Sequence, residues 1–260
     1  MSKHSSPVAT SGEPALLDGG LEAFHSDTES DALVGAIDGH RSVDHVAQIY
    51  ESDDERFDAA VPVVRHGLER GERVMYVLDD SSEAEVTAAL RDGGIDVADA
   101  LESGALSLHT VGETYLRHGE FDPDEMLEFY ADRIDEATDE YAGLRIVAET
   151  SWLRGDDVSV EQFMEYEARI NELFADSAAV ALCQYDRSEF APAVIRTVVQ
   201  IHPYLVYDGT VCHNVYYTPP AEFFGENAPA REVDRMLGTL RDRAAAKHEL
   251  RHRDRFVPEL

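Results

Sequence analysis

The sequence predicts an α/β protein: a three-layer, mainly parallel sheet with helices on both faces, ending in a β-hairpin and a terminal helix. Three observations predict it. Five apolar runs of strand length recur along residues 45–185. Segments with helical apolar spacing separate them, which is the pattern of parallel sheets wrapped by helices. Near the C-terminal end two short runs flank Asp208-Gly209, a hairpin signal.

The elements follow in order. His45 to Tyr50 reads as the first strand, and Glu51 to Asp54 as a polar loop. Phe57, Ala60, Val61, Val64 and Leu68 then recur at helical spacing, with Gly71 as the C-terminal stop. Arg73 to Leu78 is the second strand, running into Asp79-Asp80. Ser81 or Ser82 caps the next helix with Glu85 in its first turn, and the helix stops at Gly93-Gly94. Ile95 to Leu101 reads as a short linking piece and Ala105 to His109 as the third strand. Asp122-Pro123 opens a long helix with Pro at its tolerated first position, and Met126, Leu127, Tyr130, Ile134 and Ala137 form its buried stripe. Leu144 to Ala148 is the fourth strand; a helix carrying Phe163, Tyr166, Ile170, Leu173 and Phe174 follows. Ala179 to Tyr185 is the fifth strand, and Pro192 to Ile201 a further helix. Beyond Pro219-Pro220, Val233, Leu237, Leu240 and Ala244 mark a final helix with a narrow apolar stripe. The expected organisation is an acidic disordered tail over 1–42, a core domain over 43–222 and a connector helix and tail over 223–260.

Charge is the most unusual bulk property. The 260 residues hold 53 Asp or Glu against 22 Lys or Arg, for a net charge of −31, and the lysines are Lys3 and Lys247. Such a surface repels itself in dilute buffer and is screened in molar salt, where the Debye length falls to about 3 Å. It reads as the cytosolic protein of a salt-adapted cell, with an acidic mesophilic protein as the alternative. It also disfavours direct contact with nucleic acid. Residues 231–260 differ, with eight Arg or Lys against six Asp or Glu. That end is either a solvated helix or a connector that pairs with a partner or a second copy. Two cysteines make no disulfide framework. No basic start with an apolar run opens the chain, and no apolar stretch reaches the ~20 residues of a membrane span. A cytoplasmic location without membrane contact is expected.

Several chemistries lack their motif. There is no GxxxxGK[ST], GxGxxG or GxSxG. The loop after the first strand, Tyr50-Glu51-Ser52-Asp53-Asp54-Glu55, offers no glycine and no lysine to a phosphate, and its acids repel one. Cys183, His202, Cys212 and His213 match no zinc spacing, and strand alternation sends Cys212 and His213 to opposite faces. They read as two buried cysteines acting as small apolar groups beside locally satisfied histidines, with no metal and no cofactor expected. Ligands of open α/β sheets bind at the C-terminal strand edge. Tyr50, Glu51, Asp79, Glu149, Trp152, Tyr185 and Asp186 all fall there, as the walls of a small-ligand pocket or as ordinary caps and ion pairs.

A family resemblance adds to this reading. Asp44-His45-Val46-Ala47-Gln48-Ile49-Tyr50-Glu51 resembles the opening of the methanogen/methylotroph sensory domain, MEDS. Residues 67–72 (Gly-Leu-Glu-Arg-Gly-Glu), 114–116 (Thr-Tyr-Leu), 119–123 (Gly-Glu-Phe-Asp-Pro), 166–171 (Tyr-Glu-Ala-Arg-Ile-Asn), 181–186 (Ala-Leu-Cys-Gln-Tyr-Asp) and 211–217 (Val-Cys-His-Asn-Val-Tyr-Tyr) are similar to its later segments, in order. The resemblance implies a RecA/KaiC-related fold without a working phosphate loop. It implies a non-catalytic sensor of small molecules, such as hydrocarbon derivatives. In relatives the domain is joined to PAS, histidine-kinase or helix-turn-helix modules, and neither a kinase motif set nor a DNA-reading helix is found here. The expected function is therefore to bind a small molecule and act on a partner kinase or transcription regulator, with a homodimer through the C-terminal helix as one arrangement. A degenerate nucleotide enzyme using Glu149 as base and a ligand-free interaction scaffold stand as alternatives.

Overall fold

The computed structural model describes residues 45–154, 159–175, 177–219, 222 and 227–253. The expected tail over 1–42 lies outside them. In chain order the elements are β1 (His45–Tyr50), α1 (Asp53–Glu69), β2 (Arg73–Leu78), α2 (Glu83–Asp92), α3 (Val97–Glu102), β3 (Leu106–Thr110), α4 (Pro123–Glu140), β4 (Leu144–Glu149), α5 (Val160–Ala175), β5 (Ala179–Asp186), α6 (Pro192–Ile201), β6 (Tyr204–Tyr207), β7 (Thr210–His213) and α7 (Ala228–Arg253). Short 3₁₀ turns follow β3 and β4, at Val111–Glu113 and Ser151–Arg154.

The seven strands form one sheet in the order β3-β2-β4-β5-β1-β6-β7. All neighbours are parallel except the hairpin pair β6–β7. Asp208 (φ 51°) and Gly209 (φ 66°) make the hairpin turn, both left-handed, as a two-residue turn of this kind requires.

Strand alternation divides the core. Val46, Val74, Tyr76, Val147 and Leu182 face a layer built by α1, α2 and α3. Ala47, Met75, Val77, Ile146, Ala181, Cys183 and Tyr185 face the layer of α4, α5 and α6. This second layer is strongly aromatic, with Tyr115, Tyr130, Phe163, Tyr166 and Phe174 buried in it. Each such ring contributes roughly 1.5–3 kcal/mol by leaving water.

Helix starts obey their caps. Ser82 and Glu85 form a reciprocal capping box at α2, and Asp122 accepts from the amides of Asp124 and Glu125 at α4. The piece expected as a link, Ile95 to Leu101, differs: its second half is helix α3, capped by the Asp96 side chain on the Asp99 amide. Val97 and Ala100 of this turn are buried against β3's side of the core, so tertiary packing makes a helix too short to show a period.

Candidate functional site

The strand-end residues divide between the two layers. Glu149 ends β4 on the α1 side and is 1 % exposed. Its Oε2 accepts the backbone N–H of Asp79 and of Ser81, each at 2.9 Å, and so closes the β2–α2 loop. Its Oε1 lies 3.7 Å from the Arg56 guanidinium. Tyr50, also buried, lies under that guanidinium, and burial pushes its phenol up to about 12 despite Arg56. Asp79 accepts the Ser151 hydroxyl at 2.7 Å, and burial holds its carboxyl above the usual range. A buried amide relay runs beneath: Tyr76 donates to Gln184, Gln184 to Gln48, and Gln48 to the Glu55 carbonyl of α1.

Trp152 and Tyr185 lie on the other layer. Trp152 stacks on Tyr115 at 4.9 Å, and the Tyr185 hydroxyl donates to Glu167 at 2.9 Å. Glu51 and Asp186 sit at the rim. Glu51 accepts from Arg187 at 2.7 Å, and Asp186 accepts from the amide and hydroxyl of Ser188. The seven residues thus share an edge but do not face one common space.

The bend after β1 is two residues long, Glu51 and Ser52. The Ser52 hydroxyl takes the Glu55 amide and the Glu55 carboxylate takes the Glu51 amide. Two amides of this bend, those of Glu51 and Glu55, are held by the protein's own oxygens, and Asp53, Asp54 and Glu55 line the first turn of α1.

A cleft of about 590 Å³ opens instead at the hairpin edge of the sheet. Ile195 and Val199 of α6, Leu205 and Tyr207 of β6 and Tyr216 give it apolar walls, and Arg243 of α7 borders it. Arg187 joins it to the strand-end rim by donating to both Glu51 and the Tyr207 hydroxyl, at 2.7 and 2.9 Å. Cys212 and His213 border the same cleft. Cys212 is exposed, which corrects the expectation of two buried cysteines; β7 is an edge strand and leaves it open to solvent.

Deep in the α4–α6 layer lies a polar cluster that spacing alone did not reveal. His45, Glu167, Cys183 and His202 are all buried, with ligand atoms within 4.8 Å of one another. Burial opposes the charge of Glu167, but His45 and His202 outweigh it and hold the carboxyl well below the usual range. Burial, with His45 adding to it, holds His202 below the ordinary imidazole value. Burial and the nearby Glu167 push the Cys183 thiol up. His45 and Cys183 meet because β1 and β5 are neighbours and both side chains face one way, two register positions apart. The segments that carry the family resemblance hold His45, Glu167 and Cys183, and that was the available signal.

The sequence profile described as "MEDS: MEthanogen/methylotroph, DcmR Sensory domain" matches residues 44–203. This chain belongs to the MEDS family. Among curated proteins it is similar to the transcriptional repressor DcmR of Methylorubrum extorquens, 27% identical over 163 residues. That alignment covers 61% of this chain and 58% of the repressor, so the match spans little more than half of the relative's length. Two solved structures are similar in part. A KaiC-like protein of Pyrococcus horikoshii gives a TM-score of 0.46 at 11% identity, covering 63% of this chain and 70% of that one. The flagellar accessory protein FlaH of Methanocaldococcus jannaschii gives 0.46 at 19% identity, covering 71% and 82%. The family points to a sensory role for this MEDS chain. No described helix is long and apolar enough to cross a membrane.

Proposed function

We propose that this MEDS domain senses a small organic molecule in the hairpin-edge cleft and passes the signal through α7 to a partner kinase or transcription regulator. The observation that carries this reading is the cleft itself. Its volume of about 590 Å³ suits a small ligand. Its walls are largely apolar, with Arg187, His213, Asn214 and Arg243 among the polar groups that would orient a guest. A lightly polar hydrocarbon derivative fits that chemistry better than an anion, since the strand-end rim beside it is acidic. Arg243 places the cleft next to α7, so an occupied and an empty cleft present different surfaces to that helix.

The test is thermal unfolding in high salt against a panel of haloalkanes, alcohols and short ketones. A true ligand raises the melting temperature, by about 2.7 kcal/mol of added stability at a hundred times its dissociation constant. Val199→Trp fills the cleft from α6 and should abolish the shift while leaving a cooperative transition. A shift that persists unchanged in that variant sinks the reading. Retention of the same co-purifying regulator after deletion of residues 223–260 would count against output through α7.

A further inference from the structure

The buried cluster carries a second inference, independent of the cleft. Hydrogen bonds on the far side of each imidazole fix which nitrogen holds the proton. His202 Nδ1 lies 2.8 Å from the Val198 carbonyl, which can only accept, so Nδ1 carries the hydrogen. Asn171 directs its amide hydrogens at the carbonyls of Glu167, Ala168 and Ile201. Its Oδ1 is thereby turned to His45 Nδ1, 3.2 Å away, and accepts there. In the neutral rings both Nε2 atoms then point bare lone pairs inward.

What they point at is a carboxylate oxygen and, for His45, also the Cys183 thiol, whose S–H can donate to it. His202 Nε2 stands 3.0 Å from Glu167 Oε2, and His45 Nε2 stands 3.4 Å from the same oxygen and 3.3 Å from Cys183 Sγ. Among the described residues His202 Nε2 has no hydrogen-bond partner, although it is fully buried. Glu167 Oε2 already accepts the Tyr185 hydroxyl. In a dry interior the facing lone pairs of His202 Nε2 and Glu167 Oε2 repel one another unless a cation, a proton or a metal ion, lies between them.

The dimensions fit such an ion. With bonds of about 2.0–2.3 Å, ligand atoms around a tetrahedral Zn²⁺ are roughly 3.3–3.6 Å apart. Three of the six separations, 3.0, 3.3 and 3.4 Å, are close to those edges, and all four ligand atoms lie within 4.8 Å of one another. A cavity of about 10 Å³ touches His45, Glu167 and Cys183, room for a single ion or water. One thiolate and one carboxylate neutralise a dication, so the filled site is uncharged and tolerates burial. Two imidazoles, a thiolate and a carboxylate form a donor set that suits zinc. The Nδ1 bonds to Val198 and Asn171 are the outer contacts that orient metal-binding histidines.

We propose that His45, Glu167, Cys183 and His202 form a buried four-coordinate Zn²⁺ site that ties β1, α5, β5 and the α6–β6 junction together. Four protein ligands leave no open position, so the ion is structural. It enters as the chain folds, and Cys183 gives its proton to solvent when it becomes a thiolate ligand.

The experiment uses the full chain, unfolded with chelator and refolded in high salt with Zn²⁺, with Co²⁺ or with neither. One equivalent of metal should remain after gel filtration, and the melting temperature should rise over the metal-free refold. The Co²⁺ protein should show tetrahedral visible bands and a thiolate-to-cobalt band in the near ultraviolet. Cys183→Ser should lose the thiolate band and keep the visible ones. Asn171→Ala, which touches His45 and not the ion, should lower Zn²⁺ affinity roughly 10- to 100-fold. Wild-type protein that folds fully yet retains no metal, with the same melting temperature in all three refolds, overturns the proposal. So does a near-ultraviolet band that Cys183→Ser leaves intact. Because Val199 lies outside the cluster, the cleft and the ion can fail separately.

Discussion

Arg145 is 1 % exposed in the middle of β4, where a guanidinium needs a close anion. Glu72, in the turn before β2, supplies it at 2.6 Å from Nε and also takes Arg70 at 2.9 Å. The arrangement depends on Gly67 of α1, where an added Cβ would come within 2.7 Å of Arg145 Cδ. Burial alone would raise the Glu72 carboxyl, but Arg145 and Arg70 hold it below its ordinary value of 4.5. The folded value is thus lower than the unfolded one, so the stabilisation is complete above the unfolded value and is lost as pH falls through the folded one. Glu72→Gln should cost about 1.5–3 kcal/mol at neutral pH by replacing the charge-assisted hydrogen bond between Glu72 and the buried guanidinium with a neutral one. Urea unfolding checks it, and the difference from wild type should shrink on acidification below the ordinary carboxylate value. Residues of this kind show how much single positions reveal in advance. The capping box of Ser82 and Glu85 was legible because both partners lie within one turn. The Arg145–Glu72 pair was not, since 73 positions separate the two and only the β2–β4 pairing brings them together.

At the scale of elements, strands and helices were legible because their periods are local. Glu149 at the strand edge was legible for the same reason: it closes an apolar run. Its actual partners, the Asp79 and Ser81 amides and Arg56, depend on β4 lying beside β2 and under α1, which no local pattern states. The His45–Glu167–Cys183–His202 cluster is the extreme case, with ligands drawn from two strands, a helix and a loop. The final helix was legible as a narrow stripe, and the structure shows what the stripe does. Val233, Met236, Leu237 and Leu240 are 53–64 % exposed, while Arg235 ties the helix back by donating to Glu222 and Thr218. A double substitution Leu237→Glu, Leu240→Glu should therefore change the stability of the isolated chain by less than about 0.5 kcal/mol per site. If α7 pairs with α7 of a second copy, the wild type sediments as a dimer and the variant as a monomer. Identical sedimentation of the two removes the homodimer arrangement and leaves the stripe to a different protein.

At the scale of the whole molecule, charge decides the working conditions. The net charge is −31 and the pI about 4.5, so folding gathers like charges that the unfolded chain keeps apart. Some acids are individually compensated: Glu51 by Arg187, Asp80 and Glu189 by Arg154, Asp124 by Arg169. With 22 basic residues for 53 acidic ones, most acids have no such neighbour to find. Exposed ion pairs contribute about 0–1 kcal/mol each at best, too little to offset the collective repulsion. Salt acts on both terms in opposite directions. It weakens the few attractive pairs, and it screens the many repulsive ones, most strongly when the Debye length drops from about 10 Å at 0.1 M to about 3 Å at 1 M. With acids outnumbering bases more than two to one, the repulsive term dominates and stability should rise with salt. The melting temperature should climb steadily from 0.1 M towards molar KCl, and tetramethylammonium chloride should act nearly as well if screening alone is responsible. A flat response would mean that the acids are spaced widely enough on this fold to be tolerated in dilute buffer. The expectation of a salt-adapted protein would then lose its physical basis.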